Sequence, residues 1–243
     1  MRLGVAWAVA VAVSLAIEPL RPYGLAVLYG VVAGFAARSV VDAQRGDRAS
    51  SDRWIAALGA SALPVLATVG ARGFGGGLIL LAAACYLACF VSPDPERSLL
   101  ERSGHMVAAA GICGSAAASL VLLADYEIGA VIILLVFAMV YDASDFTVGS
   151  GPSGAVSGPV AGALFIVAVS LIFAVTGAPP FRGAAVWLFA ALAMVACPAG
   201  QFVASALLPR PDERAPGLRR LDSLLVAAPA WAGLVGLFIG HAR

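Results

Sequence analysis

Residues 127–162 read EIGAVIILLVFAMVYDASDFTVGSGPSGAVSGPVAG. An uncharged apolar run from Ile128 to Tyr141 meets two carboxylates, Asp142 and Asp145. A Gly/Ser/Pro stretch follows, and then apolar sequence resumes. A backbone in hydrocarbon must satisfy its own polar groups, so such a run reads as a membrane helix that turns and hands over to the next one. The same pattern governs the whole chain. Of its 243 residues 61% are hydrophobic and only 12% charged, with a mean hydropathy of +0.96, whereas soluble domains carry about 25% charged residues. This excludes a soluble globular domain, a disordered chain and a disulfide scaffold.

Blocks of apolar residues between charges or Gly/Pro clusters predict spans at about 3–17, 24–41, 54–71, 76–92, 104–124, 127–145, 156–177, 183–208 and 223–240. The expected fold is an all-α polytopic transmembrane bundle of about nine helices. It forms one integral membrane domain over 1–243, with N-terminal helices in 1–125 and a second half in 126–243. The first block follows Arg2 as a signal peptide would, but no clear small-x-small cleavage site precedes Glu18, so it is read as a retained span. All 15 basic residues are arginine. Eleven of them fall at the amino terminus and in the even loops, and four on the other side. The positive-inside rule then predicts a cytoplasmic N-terminus, in the cytoplasmic membrane. A net charge of +1 gives no case for nucleic acid.

Cys85, Cys89, Cys113 and Cys197 lie in apolar blocks and read as packed thiols. The GxxxG pairs Gly30/Gly34, Gly158/Gly162 and Gly236/Gly240 read as internal packing faces, with a homodimer left open.

Polar residues gather in two places. Asp142 and Asp145, at i and i+3, share a helix face and could hold a divalent cation through hard oxygen ligands; alternatively the helix ends at Tyr141 and the acids are solvated. The loop after them, with Ser153 and Ser157, could offer N–H and hydroxyl groups to a phosphate or be an ordinary turn. The second cluster holds Arg210, Asp212, Glu213, Arg214, Arg219, Arg220 and Asp222. Its guanidinium forks suit phosphate or anionic headgroups, or serve only as an orientation anchor. His105 reads as interfacial. The predicted topology puts both clusters on the cytoplasmic side, an arrangement suited to metal-assisted phosphoryl or nucleotidyl transfer onto a lipid phosphate.

The order of these motifs resembles the membrane phosphatidate cytidylyltransferases, or CDP-diacylglycerol synthases. YDASDFTVG is similar to that family's Asp-Thr-x-Ala-Tyr-x-x-Gly motif, with Asp142, Phe146 and Gly149 at its aspartate, aromatic and glycine. SGPSGAVSGPVAG loosely matches a Ser-Pro-Lys-rich loop. GQFVAS (200–205) and RRLDSL (219–224) stand at Gly-Asp-x-x-Glu-Ser and Asp-Arg-x-Asp-Ser. Gln201, Ala204 and Arg219 replace acids of the family pattern. The resemblance makes 126–243 a cytidylyltransferase-like half that converts CTP and phosphatidate to CDP-diacylglycerol and pyrophosphate. It implies Asp142 and Asp222 as catalytic residues, and Asp142, Asp145 and Asp222 as Mg²⁺ ligands. Ser153, Ser157, Ser205, Arg210, Arg220 and Ser223 would be substrate-binding, and the partners CTP, phosphatidate and membrane lipids. The alternative expectation is a catalytically degenerate relative that binds anionic lipid or nucleotide, or partners an active enzyme. A small transporter is disfavoured because nearly all charges lie at span ends, and a CDP-alcohol phosphotransferase because its dense acid motif is absent.

Overall fold

Each apolar block becomes a helix: α1 Arg2–Ala16, α2 Arg21–Arg45, α3 Asp52–Ala67, α4 Ala71–Val91, α5 Leu99–Tyr126, α6 Ile128–Gly149, α7 Gly154–Thr176, α8 Ala184–Ala206 and α9 Leu224–Gly240. Short 3-10 turns stand at Glu18–Leu20 and Leu218–Arg220. The structure, a computed structural model, describes residues 2–240 except 46–50, 94–96, 150–153, 178, 211–212 and 214. No strand occurs among the described residues, so the protein is an all-α polytopic membrane protein.

Among the described residues six helices are long and apolar enough to cross a bilayer: Glu18–Gln44, Ala71–Val91, Leu99–Tyr126, Ile128–Gly149, Ser157–Thr176 and Ala184–Ala206. The third block differs from expectation. It ends at Ala67 rather than near 71, because Gly70 adopts φ +89° and turns the chain directly into α4. Its 16 residues span roughly 24 Å, short of the ~30 Å hydrocarbon core. The fifth helix starts at Leu99 instead of about 104, taking Arg102 into its first turns.

The chain divides into two compact units, one of residues 1–122 and 204–221, the other of 123–203 and 222–243. In the first, small residues let backbones meet, which substitutes for the hydrophobic drive that lipid removes. Gly30 and Gly34 of α2 press on Ser61, Pro64 and Ala57 of α3, and the Ser61 hydroxyl donates to the Gly30 carbonyl at 2.9 Å. Gly77 of α4 and Gly114 of α5 close on Leu63. The segment 204–221 is held along α2: Gln44 Nε2 donates to the Leu207 carbonyl at 2.7 Å, and Gly217 lies against the backbone of Phe35 and Ala36. Arg102 forks onto Asp52, with Nε to Oδ2 at 2.8 Å and Nη2 to Oδ1 at 2.5 Å, and its Nη1 donates to the Ser92 carbonyl. This joins the start of α3, the end of α4 and the start of α5.

The second unit is built on aromatics. Trp231 of α9 is fully buried among Phe137, Phe181 and Phe189, with ring centroids 5.9, 5.8 and 4.9 Å away. Gly162 of α7 leaves room for the ring of Tyr141. Two of the three GxxxG pairs are therefore internal packing faces, as expected, while Gly236 has no atom near the place a Cβ would take. The four cysteines are buried and form no disulfide, as expected of packed thiols.

Candidate functional site

The apolar run does not stop at Tyr141. α6 continues to Gly149, which places Asp142 and Asp145 inside a helix and overturns the alternative in which the helix ended before them. The hydroxyls of the polar stretch are satisfied within their own helix: Ser144 Oγ donates to the Val140 carbonyl at 2.6 Å and Thr147 Oγ1 to that of Ala143 at 2.9 Å. Of the two acids, Asp142 is exposed and Asp145 half-buried.

Four elements of the second unit meet around these carboxylates. Ser223, just before α9, donates its hydroxyl to Asp142 Oδ2 at 3.0 Å, although 81 positions separate the two residues. The Ser223 N–H donates to Asp222 Oδ1 at 2.9 Å, and Asp222 is 7% exposed. Asp222 and Asp145 both lie within Coulombic reach of Asp142. From α8, Gln201 Nε2 donates to Asp145 Oδ2 at 2.9 Å, while Gln201 Oε1 accepts from the Tyr141 hydroxyl at 3.1 Å. Gly158 of α7 lies against Asp145 Oδ1, where any side chain would collide. The pair Gly158/Gly162 thus seats the two polar side chains of α6, Asp145 and Tyr141.

The structure therefore brings together Asp142, Asp145, Asp222 and Ser223 from the expected set. Ser157 lies half-buried on α7 in the same unit. Ser205, Arg210 and Arg220 belong to the first unit, with both arginines exposed. Ser153, Asp212 and Arg214 lie outside the described residues. Among the described residues no three His, Cys, Asp or Glu side chains are grouped to hold a metal ion. Asp142, Asp145 and Asp222 each accept a hydrogen bond from a protein donor.

Two site residues escaped the sequence reading. Gln201 stands out only as a departure from the resembled pattern, and Gly200 only as the glycine that opens GQFVAS. A Cβ at Gly200 would run into the Asp222 carbonyl oxygen and come within 3.2 Å of the Ser223 oxygen. Gly200→Ala should push the 222–223 segment away and weaken the Ser223 to Asp142 bond, lowering stability by about 1–3 kcal/mol. Thermal unfolding in detergent measures this, and an unchanged midpoint would refute so close an approach. No known protein family matches the chain, and no curated protein is significantly similar to it.

Proposed function

We propose that this integral membrane protein is a phosphatidate cytidylyltransferase-like enzyme of phospholipid biosynthesis in the cytoplasmic membrane. The observation that carries this reading is the hydrogen bond from Ser223 to Asp142. It joins the acid-bearing end of α6 to the Asp-Ser pair before α9, the two places where the sequence resembles that family most. In the reaction a phosphatidate oxygen forms a bond to the α-phosphorus of CTP and the bond to the bridging oxygen breaks, releasing pyrophosphate. Asp142, exposed and held by Ser223, is the group that faces substrate. Asp222, buried beside it, fixes the Ser223 backbone. Arg210 and Arg220 are candidate phosphate donors by the resemblance alone, as exposed guanidinium groups of the other unit. Magnesium belongs to this reading as the companion of the nucleotide phosphates, and no step is built on an ion held by the protein alone.

A second reading, a degenerate relative that binds anionic lipid or nucleotide or partners an active enzyme, is favoured by one observation: the Gln201 amide occupies Asp145. The two separate in one assay. Protein purified in detergent with phosphatidate, radiolabelled CTP and Mg²⁺ should yield labelled CDP-diacylglycerol, and D142N/D222N should reduce it by about a hundredfold or more, the scale on which charge-stabilising groups act. Folded wild-type protein that makes no product with Mg²⁺, Mn²⁺ or Co²⁺ establishes the second reading.

A further inference from the structure

The first unit carries a set of arginines that the proposed transferase does not use. Arg38 of α2 lies over the ring of Trp54 at the start of α3, 4.4 Å from the ring centroid. Asp42, one turn on, is shared: Arg38 Nε reaches its Oδ2 at 3.4 Å, and Arg53 Nη1 reaches its Oδ1 at 3.5 Å. Charge-assisted bonds between guanidinium and carboxylate normally close to about 2.7–2.9 Å. One carboxylate thus sits loosely between two guanidinium groups. Arg53 Nε is buried with no acceptor, and an unpartnered buried donor is costly. On the same helix, Gly217 seats the turn Leu218–Arg220 against Phe35 and Ala36.

The flanks of this set are apolar and open. Along α2, Val27, Val31 and Phe35 are exposed at successive turns leading to Arg38; along α3, Leu58 and Val65 follow half-exposed Trp54. A Trp at the boundary between an apolar stripe and a charged cap is the usual occupant of the headgroup level. Arginines above, an aromatic at the boundary and apolar side chains below match the three parts of an anionic phospholipid. We propose that the first unit binds one anionic phospholipid, its phosphate held by Arg38 and Arg53 against Trp54 and its acyl chains lying along Val27, Val31 and Phe35. The chemistry recognised is a phosphate oxygen in place of the second carboxylate that the two arginines lack among the described residues. This inference is independent of the transferase reading, because none of Arg38, Arg53 or Trp54 enters that site.

The test is native mass spectrometry of the full chain in detergent, titrated with dioleoylphosphatidylglycerol, dioleoylphosphatidylcholine or inorganic phosphate. The wild type should retain one phosphatidylglycerol about tenfold more tightly than phosphatidylcholine. R38Q/R53Q should abolish that preference, and Asp42→Asn, which removes the competing carboxylate, should strengthen it severalfold. Inorganic phosphate that displaces the lipid at millimolar concentration would make the ligand free phosphate and overturn the lipid assignment. Equal preference in wild type and R38Q/R53Q overturns the site. Should R38Q/R53Q lose its helical circular dichroism, D42N decides alone, and no gain in its affinity overturns the proposal.

Discussion

Replacing Arg102 by methionine should destabilise the protein by about 3–5 kcal/mol, the range for removing one partner of a buried ion pair. Asp52 is 1% exposed and Arg102 7%, so the substitution leaves a buried carboxylate without the two-bonded fork that now holds it. Three helix ends lose their common tie, because Arg102 also donates to the Ser92 carbonyl. The burial of the pair is what sets the size of the effect: the ion pair between Arg97 and Glu101, 4.0 Å long with Glu101 51% exposed, belongs to the class worth about 0–1 kcal/mol. Removing both charges should recover much of the loss, since a buried pair replaced by apolar residues is often neutral. Urea unfolding in detergent of R102M, D52L and R102M/D52L measures the coupling. A loss below about 1 kcal/mol for R102M alone would mean that the fork does not hold the first unit together.

The sequence reading reached the helices and missed this pair for one physical reason. In a bilayer the backbone has almost no choice but to be helical, so block length and apolar content were enough to locate α1 to α9. Ends were harder where a local device intervened, as with Gly70 and its positive φ. Asp142 and Asp145 were legible because i, i+3 spacing on a helix fixes a shared face whatever the tertiary structure. Arg102 was legible only as an orientation marker. Its partner lies 50 residues away, and which faces of α3 and α5 meet depends on how glycines such as Gly77 and Gly114 let their helices close on Leu63. Gln201 is the intermediate case: its departure from the resembled motif was visible, but the fact that its amide bridges Tyr141 and Asp145 follows only from helix rotation.

That bridge leads to the second large effect. Gln201→Glu should convert the end of α6 into a divalent-cation site. Glutamate is nearly isosteric with glutamine, so it places a carboxylate oxygen where Nε2 now stands, 2.9 Å from Asp145 Oδ2. Two carboxylates at that distance cannot both remain charged without a counterion, and Asp142 and Asp222 add to the same field. The Tyr141 hydroxyl still donates to the new side chain and keeps it oriented. Oxygen ligands in this number suit Mg²⁺ or Mn²⁺. Electron paramagnetic resonance of Mn²⁺ added to purified protein should show bound ion in the variant at concentrations where the wild type shows none. Because the ion binds only the folded state, the unfolding free energy of the variant should rise with Mn²⁺, by about 2.7 kcal/mol at a hundred times the dissociation constant. In the absence of metal the same variant should be less stable than the wild type, since the repulsion is then uncompensated. A variant that binds no more Mn²⁺ than the wild type would place Asp145 and position 201 too far from the other carboxylates to share an ion. The amide of Gln201 would then be a packing bond between α6 and α8 alone.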